Sequence, residues 1–151
     1  MAILNYQIFF DTSVYIAAIL SPKGAAGELI RLVEVGAIRM VVSEKVIIES
    51  DHVLSRKFPD LIEESRNFWK HLEPNIIPEP EPKEIEPFAQ HLDAADAMIL
   101  CAAHLAKVDA FVTWNTRDFI EPSIEKLVSF PIVVPGNCLK LFQKWIKPFL
   151  D

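Results

Sequence analysis

The acidic residues of greatest chemical interest stand at the ends of short apolar segments. Asp11 directly follows the apolar residues 8–10. Asn115 and Asp118 come just after the predicted strand at residues 110–113. Because ligands of an open parallel sheet bind at the carboxyl ends of its strands, these positions predict functional side chains. The alternative for Asp11 and Asp118 is that each only caps the helix that follows it.

Glu49 lies within a stretch of helical periodicity, beside the face that carries Ile47, Leu54 and Phe58. An unpaired carboxylate buried there would be strongly destabilising or would have a raised pKa. Coordination of a metal ion would remove that problem. A salt bridge to a lysine, or a boundary position that reaches water, would explain the same spacing.

Asp96 is placed on a helical face with apolar residues. Ile99, Leu100 and Ala103 follow it at the i+3, i+4 and i+7 positions. It also lies near the start of that predicted helix, where the helix dipole favours negative charge and Asp93 competes for the capping position. We assign Asp93 as the cap and Asp96 as the inward-facing ligand.

Converging carboxylates without histidine or cysteine partners make a hard oxygen site. Such a site suits Mg²⁺ or Mn²⁺ and does not suit zinc. A divalent ion held in this way activates water and neutralises charge that develops on a phosphate. The candidate ligands and catalytic acids are Asp11, Glu49, Asp96 and Asp118.

The elements that would position these acids alternate along the chain. Strands are predicted at residues 8–10, 40–42, 110–113 and 132–134. Helices are predicted at 14–20, 25–35, 44–58, 60–71, 94–107, 124–127 and 138–146, with Ser43 capping the third and Asp60 with Glu63 opening the fourth. Residues 74–87 contain five prolines and four glutamates and predict an extended surface connection. Short strands that are apolar on both faces and separated by helices indicate an α/β fold with a parallel sheet covered on both sides.

The bulk composition limits the possible functions. With 151 residues, 51% of them hydrophobic, the chain predicts a single domain over residues 1–151. The net charge of −6 and the pI of about 5.2 mean that the molecule as a whole repels a polyanion, although a metal ion among carboxylates reverses the local potential. The two cysteines lack metal-binding spacing and indicate a reducing compartment. Without a basic amino-terminal region or a long apolar run, the chain is expected to be soluble and cytoplasmic, with no contact to a membrane.

The aromatic and imidazole side chains give weaker signals. His52, His71, His91 and His104 show no ligand spacing and are expected to be surface or helix residues. The three tryptophans, Trp69, Trp114 and Trp145, either stack on nucleobases or fill a core or dimer interface. Trp114 is the most informative of them, because it lies among the residues that follow a predicted strand.

Four segments of the chain, taken in order, resemble the motifs of the PIN-domain family in the subgroup found among prokaryotic toxins. Residues 10–26, with the sequence FDTSVYIAAILSPKGAA, resemble the first motif, and residues 42–54 are similar to the second. Residues 93–100 resemble the third, and residues 112–119 the fourth. The resemblance covers most of the chain. It implies a three-layer α/β/α sandwich around a central parallel sheet, Mg²⁺- or Mn²⁺-dependent cleavage of RNA, and frequent dimerisation.

Carried over residue by residue, the resemblance assigns Asp11, Glu49 and Asp96 to the three core acids. It also implies supporting hydroxyl groups at Thr12 or Ser13 and at Thr113. Many family members have an aspartate where this chain has Asn115. An amide can still bind a metal through water but brings no negative charge, so either Asp118 serves in its place or a second metal binds weakly.

The leading hypothesis is a metal-dependent endoribonuclease, the toxin of a toxin–antitoxin pair, with RNA as substrate, an antitoxin as partner and a homodimeric assembly. The alternative is a catalytically silent PIN module that binds RNA or a protein, which Asn115 and the acidic pI allow. A third hypothesis is a phosphatase with Asp11 as nucleophile. Such enzymes usually have a second acid two residues later, where this chain has Ser13.

Overall fold

The computed structural model describes residues 5–150, in which strands and helices alternate along the chain. The strands are β1 (Tyr6–Phe10), β2 (Ile38–Ser43), β3 (Asn75–Ile77), β4 (Ala110–Val112) and β5 (Ile132–Val133). The helices are α1 (Thr12–Leu20), α2 (Ala25–Glu34), α3 (Glu44–Lys57), α4 (Ile62–Leu72), α5 (Pro82–Ala89), α6 (Ala94–Ala106), α7 (Thr116–Phe119), α8 (Pro122–Glu125) and α9 (Pro135–Leu150). The predicted α/β/α sandwich with a central parallel sheet is confirmed.

The five strands form one parallel sheet in the order β3-β2-β1-β4-β5. The chain progresses to one side of β1 through β2 and β3, and to the other side through β4 and β5. The boundary between β1 and β4 is therefore the switch point at which ligands of such sheets bind. Phe10 pairs with Val112 there, and the backbone N–H of Asp11 donates to the Val112 carbonyl at 3.0 Å. This register brings the residues that follow the two strands together.

The central strands β1 and β4 contain continuous apolar runs because both faces of these runs are buried in the core. Phe9 and Phe111 are fully buried on neighbouring strands, and their rings stack with centroids 5.3 Å apart. On the other side of each strand, Phe10 and Val112 are also fully buried. Burial on both faces requires a helical layer on each side of the sheet.

The prediction of an extended connection over residues 74–87 is wrong. It contains the edge strand β3, in which Ile76 pairs with Val42, and most of helix α5. Pro82 does not prevent α5, because a proline in the first turn of a helix gives up no intrahelical hydrogen bond. The helical spacing of Ile85 and Phe88, with Phe88 only 4% exposed, buries an apolar face that outweighs the proline content.

The capping predictions have mixed outcomes. Ser43 caps α3 as predicted, accepting from the Val46 backbone N–H at 3.2 Å. The prediction that Asp60 and Glu63 open the fourth helix is wrong. Residues Pro59–Leu61 form a 3₁₀ turn, and α4 begins at Ile62. Helix α7 is not among the predicted elements, and the last helix begins three residues earlier than expected, at Pro135.

No helix within residues 5–150 is long and apolar enough to cross a membrane, and residues 1–4, on which the localisation prediction partly depends, lie outside the described part.

Candidate active site

Asp11 is the buried centre of the polar cluster at the carboxyl end of the sheet. It lies between β1 and α1 and is 4% exposed. Its Oδ2 accepts hydrogen bonds from Ser13 Oγ at 3.0 Å and from Thr113 Oγ1 at 2.7 Å. The alternative that Asp11 only caps α1 is not supported, because its side chain makes no capping hydrogen bond to that helix. Its carboxylate is instead held by side chains from two separate parts of the chain.

The two hydroxyl groups are themselves oriented by the loop after β4. Ser13 Oγ accepts from the Trp114 backbone N–H at 3.0 Å, and Thr113 Oγ1 accepts from the Asn115 N–H at 2.9 Å. A hydroxyl has a single proton to donate, and the short distances to Asp11 direct both protons to its carboxylate. The backbone at residues 113–115 is thus locked to Asp11.

The electrostatics of Asp11 reflect this burial. Desolvation raises the pKa of Asp11 above its usual value, and the nearby charge of Glu49 acts in the same direction. Hydrogen bonds from Thr113, Ser13 and the Thr12 backbone oppose the shift without cancelling it. The fold therefore holds a carboxylate where its negative charge is not fully compensated.

Glu49 approaches the same region from helix α3. It is half-buried, and its Oε1 accepts a hydrogen bond from Thr12 Oγ1 at 2.9 Å. Since Thr12 directly follows Asp11, this bond fixes Glu49 relative to the first acid. The three hydroxyl residues expected to support the acids therefore have different partners. Thr12 contacts Glu49, whereas Ser13 and Thr113 contact Asp11.

Asp96 lies in the first turn of α6 and is half-buried. Its backbone N–H donates to Asp93 Oδ1 at 2.9 Å, so Asp93 is the helix cap, as predicted. Burial raises the pKa of Asp96 to about 7, and the charges of the surrounding acids add to the shift. Those acids are Asp93, Asp11, Asp118 and Glu49, in decreasing order of effect. Carboxylates from three other segments, together with Asp93 at the cap of the same helix, are therefore close enough to repel the charge on Asp96.

Asp118 and Asn115 form a pair at the exposed side of the cluster. Asn115 Nδ2 donates to Asp118 Oδ2 at 3.1 Å, and Asn115 Oδ1 accepts from the Asp118 N–H at 3.4 Å. Asn115 therefore caps α7 and orients Asp118 by its side chain. The alternative that Asp118 is itself a helix cap is wrong, because Asn115 has that position.

Beside this pair, a cleft of about 180 Å³ contains two residues that the sequence did not single out. It is lined by His91, Leu92, Asp93, Asp96, Asp118 and Glu121. Glu121 follows Asp118 by three residues, a spacing that could have been noticed. His91 precedes the cap of α6 by two residues and was expected to be only a surface or helix residue.

The donor set fits a hard divalent cation in its chemistry. Within residues 5–150, no three acidic, histidine or cysteine side chains lie close enough together to hold one ion. The candidate ligands nevertheless offer only oxygen atoms, which Mg²⁺ and Mn²⁺ prefer. Burial and, to a smaller extent, repulsion from the neighbouring acids raise the pKa of Asp96, and a bound cation would offset both unfavourable effects.

Comparisons with known proteins concern the family and the fold of the chain. The model of the PIN domain family matches residues 7–117, a span that includes Asp11, Glu49 and Asp96 and stops just before Asp118. No curated protein matches the chain.

Several solved structures are similar in fold. One is VapBC2 from Rickettsia felis bound to a DNA fragment from its promoter, with a TM-score of 0.63, 14% identity, and coverage of 84% of this chain and 98% of that chain. DNA-bound VapBC from Salmonella typhimurium has a TM-score of 0.59 and 16% identity, over 84% of this chain and 96% of the other. FitAB bound to an IR36 DNA fragment has a TM-score of 0.60 and 18% identity, over 85% and 94%. At these identities the likeness concerns the fold alone.

Proposed function

This chain belongs to the PIN domain family, and on that premise we propose that it is a metal-dependent endoribonuclease, the toxin of a toxin–antitoxin pair. One observation carries the proposal. Half-buried Asp96, whose pKa burial raises to about 7, lies near Asp93 at the cap of its own helix and near Asp11, Asp118 and Glu49 from three other segments. A concentration of negative charge destabilises a protein core, but it can bind a cation that in turn binds a phosphate.

The proposed ligands are Asp11, Glu49, Asp96 and Asp118, which would hold Mg²⁺ or Mn²⁺. When bound, such an ion supplies a Lewis acid for the phosphate and lowers the pKa of a coordinated water. The protein contributes preorganisation, because the first two acids are held in place by hydroxyl hydrogen bonds rather than free to rotate. The Asn115 amide does the same for Asp118.

The charge of the cleft also makes phosphate binding dependent on a cation. Its lining includes Asp93, Asp96, Asp118 and Glu121 but neither lysine nor arginine. A phosphodiester entering this cleft alone would be repelled by the carboxylates. The proposed enzyme therefore binds the scissile phosphate productively only when the cation is present.

The proposed partner is an antitoxin protein, as the resemblance to the toxin subgroup implies. VapBC and FitAB, whose folds are similar to this one, were solved bound to DNA. This chain has an apolar groove of about 460 Å³ between α1, α2 and α4. Its lining includes the apolar residues Ala18, Ile30 and Phe68 and the charged residues Arg31 and Glu34. We propose that an apolar antitoxin segment binds in this groove, and that the toxin is a homodimer acting in the cytoplasm.

The test of catalysis is cleavage of a mixed, structured RNA pool by purified protein with Mn²⁺, Mg²⁺ or EDTA. Wild type should cut the pool only with a divalent ion. Asp96→Asn, which keeps the size of the side chain but removes its charge, should lose that activity. Asp60→Asn is the matched control, since Asp60 is an exposed aspartate in the 3₁₀ turn, outside the cluster. Equal cutting by wild type and Asp96→Asn would instead indicate a contaminating nuclease and contradict the proposal.

The second candidate function is a catalytically silent PIN module that binds RNA or a protein. It is favoured by Asn115, which stands where many relatives have an acid, and by the absence of a closed three-ligand set among residues 5–150. Wild-type protein that binds RNA but cuts none under any metal would support this function over the nuclease.

A further inference from the structure

Trp114 differs from the other two tryptophans in its surroundings. Trp69 stacks on Tyr15 with ring centroids 3.8 Å apart, and Trp145 stacks on Tyr6 at 4.7 Å. Trp114 is 47% exposed and has no aromatic partner within the described residues. Exposing a large apolar ring to water is unfavourable, and an exposed tryptophan is more typical of a binding surface than of a fold-stabilising position.

The backbone of Trp114 is fixed directly to the acid cluster. Its N–H donates to Ser13 Oγ at 3.0 Å, and that same hydroxyl donates to Asp11. The residues on both sides of it, Thr113 and Asn115, are also hydrogen-bonded within the cluster. The backbone of Trp114 is therefore held beside the proposed place of cleavage, while its indole ring has no aromatic stacking partner among residues 5–150.

Because the molecule has a net negative charge, an exposed aromatic ring would contribute a larger share of any affinity for a nucleic acid. Most nucleic-acid-binding proteins obtain much of their affinity from lysine and arginine contacts with phosphates. This chain has a net charge of −6, and His91 is the sole basic side chain that lines the acidic cleft within the described part of the chain. Stacking of a base on an aromatic ring requires no positive charge and occurs with every type of base.

We propose that Trp114 stacks on an unpaired nucleobase of the RNA substrate, next to the scissile phosphate, and thereby selects single-stranded RNA. The position of the phosphate rests on the nuclease function proposed above. In a duplex each base is already stacked between its neighbours, so its faces are not available to the indole. Unpaired bases in loops and ends present a free face. Trp114 thus determines which part of an RNA is bound and contributes nothing to bond cleavage itself.

The test measures binding separately from cleavage. A fluorescently labelled single-stranded RNA octamer is titrated with protein in Ca²⁺, whose charge offsets that of the carboxylates, and gel analysis checks that the RNA remains intact. Trp114→Leu should weaken binding roughly 5- to 150-fold, the range expected for the loss of one stacked base. Trp114→Phe should retain most of the affinity, since phenylalanine keeps an aromatic face. Phe149→Leu is the matched control and should change binding less than twofold, because Phe149 is exposed at the end of α9, outside the cluster.

Two further readouts identify stacking as the cause. The salt dependence of binding should keep the same slope in Trp114→Leu, because no phosphate contact is lost. Part of the intrinsic tryptophan fluorescence should be quenched by the octamer in wild type, and this part should be missing in Trp114→Phe, which retains Trp69 and Trp145. A blunt duplex of the same sequence should bind more weakly and lose nothing further in Trp114→Leu.

The inference is overturned if Trp114→Leu binds the octamer as wild type does, or if wild type does not bind it at all. It is also overturned if the variant loses binding together with its oligomeric state in sedimentation velocity, because Trp114 would then be an interface residue. Failure of the nuclease proposal looks different: wild type would bind the octamer through Trp114 and yet cut no RNA with any divalent ion.

Discussion

Two buried polar clusters lie along helix α1. Both provide hydrogen bonds to a buried polar side chain, but we expect them to affect stability in opposite directions. At the start of the helix, the Asp11 carboxylate is held by the hydroxyls of Ser13 and Thr113. One turn later, the fully buried Tyr15 hydroxyl is bonded to Ser65, with Oη 2.8 Å from Oγ and 3.2 Å from the carbonyl oxygen. In both clusters a hydroxyl group from a distant part of the chain, Thr113 or Ser65, satisfies a buried polar atom.

The difference between the clusters is charge. Burial raises the pKa of Tyr15 to about 12, so its hydroxyl is neutral at physiological pH and the cluster satisfies its polar atoms without burying a charge. Burial raises the pKa of Asp11 as well, but Asp11 is a proposed cation ligand, and that role requires its charged form. We infer that the Tyr15 cluster contributes stability, whereas the Asp11 cluster reduces stability in exchange for a binding site. Such opposition is common where function needs an unfavourable arrangement.

The largest expected effect comes from removing charge at the site. Asp96→Asn should lower the rate of metal-dependent RNA cleavage roughly 100- to 1000-fold, since it deletes several kcal/mol of cation-mediated stabilisation of the transition state. The same variant should unfold at a higher temperature than wild type in EDTA, because it relieves repulsion from the neighbouring acids. Initial cleavage rates and thermal melts measure the two effects. A variant that is both inactive and less stable would contradict the assignment of repulsion to Asp96.

A smaller effect is expected from the hydroxyl that orients Asp11. Thr113→Val preserves the shape of the side chain but removes its 2.7 Å donation to Oδ2. It should lower apparent metal affinity about 10- to 100-fold, as loss of a group that orients a ligand typically does. Thr113→Ser should restore most of the affinity. Metal titrations of cleavage rate measure the change, and equal affinities for the valine and serine variants would show that the hydroxyl has no such role.

A mutation in the Tyr15 cluster should lower the stability of the protein and leave the rate of RNA cleavage nearly unchanged. Tyr15→Phe removes one partner of Ser65, which is 2% exposed, and should lower the free energy of unfolding by about 1 to 3 kcal/mol. Urea denaturation checks the loss of stability, and cleavage rates check that activity persists. The comparison between the clusters breaks down if Tyr15→Phe lowers the cleavage rate as strongly as Thr113→Val.

The smallest effect concerns pH. In the folded protein the pKa of Asp96 is about 7, above its ordinary value of 3.8, so the folded state holds a proton that the unfolded state has released. Between these two pKa values the free energy of unfolding should fall as pH rises, and it should level off above about pH 7. Asp11 should add to the same trend, because its pKa is also raised.

Urea denaturation in EDTA at several pH values between 5 and 8 measures this decline. Asp96→Asn should show a shallower decline, whereas Asp60→Asn should follow wild type. Added Mg²⁺ should also stabilise wild type most at high pH, where the carboxylates are charged. An identical pH profile for wild type and Asp96→Asn would contradict the raised pKa.

The predictions that succeed from sequence depend on neighbours along the chain. Ser43 and Asp93 are identifiable as caps because a cap needs only a suitable side chain three residues before the N–H that it accepts. The alternation of apolar strands with helices indicates the parallel sheet for a similar reason, because burial on both faces leaves a continuous apolar run. Helix α5 is missed when the proline content of residues 74–87 is given more weight than the spacing of Ile85 and Phe88.

The sequence shows which side chains carry oxygen ligands and which of them follow strands, and hence the type of ion that the proposed site would take. The tertiary structure alone decided how those oxygens are shared: Thr12 contacts Glu49, Ser13 and Thr113 contact Asp11, and Asn115 orients Asp118. It also decided that Asp96 has a pKa of about 7. The physical reason is that burial and Coulomb repulsion depend on distances through space, and strand pairing brings together acids that are far apart along the chain.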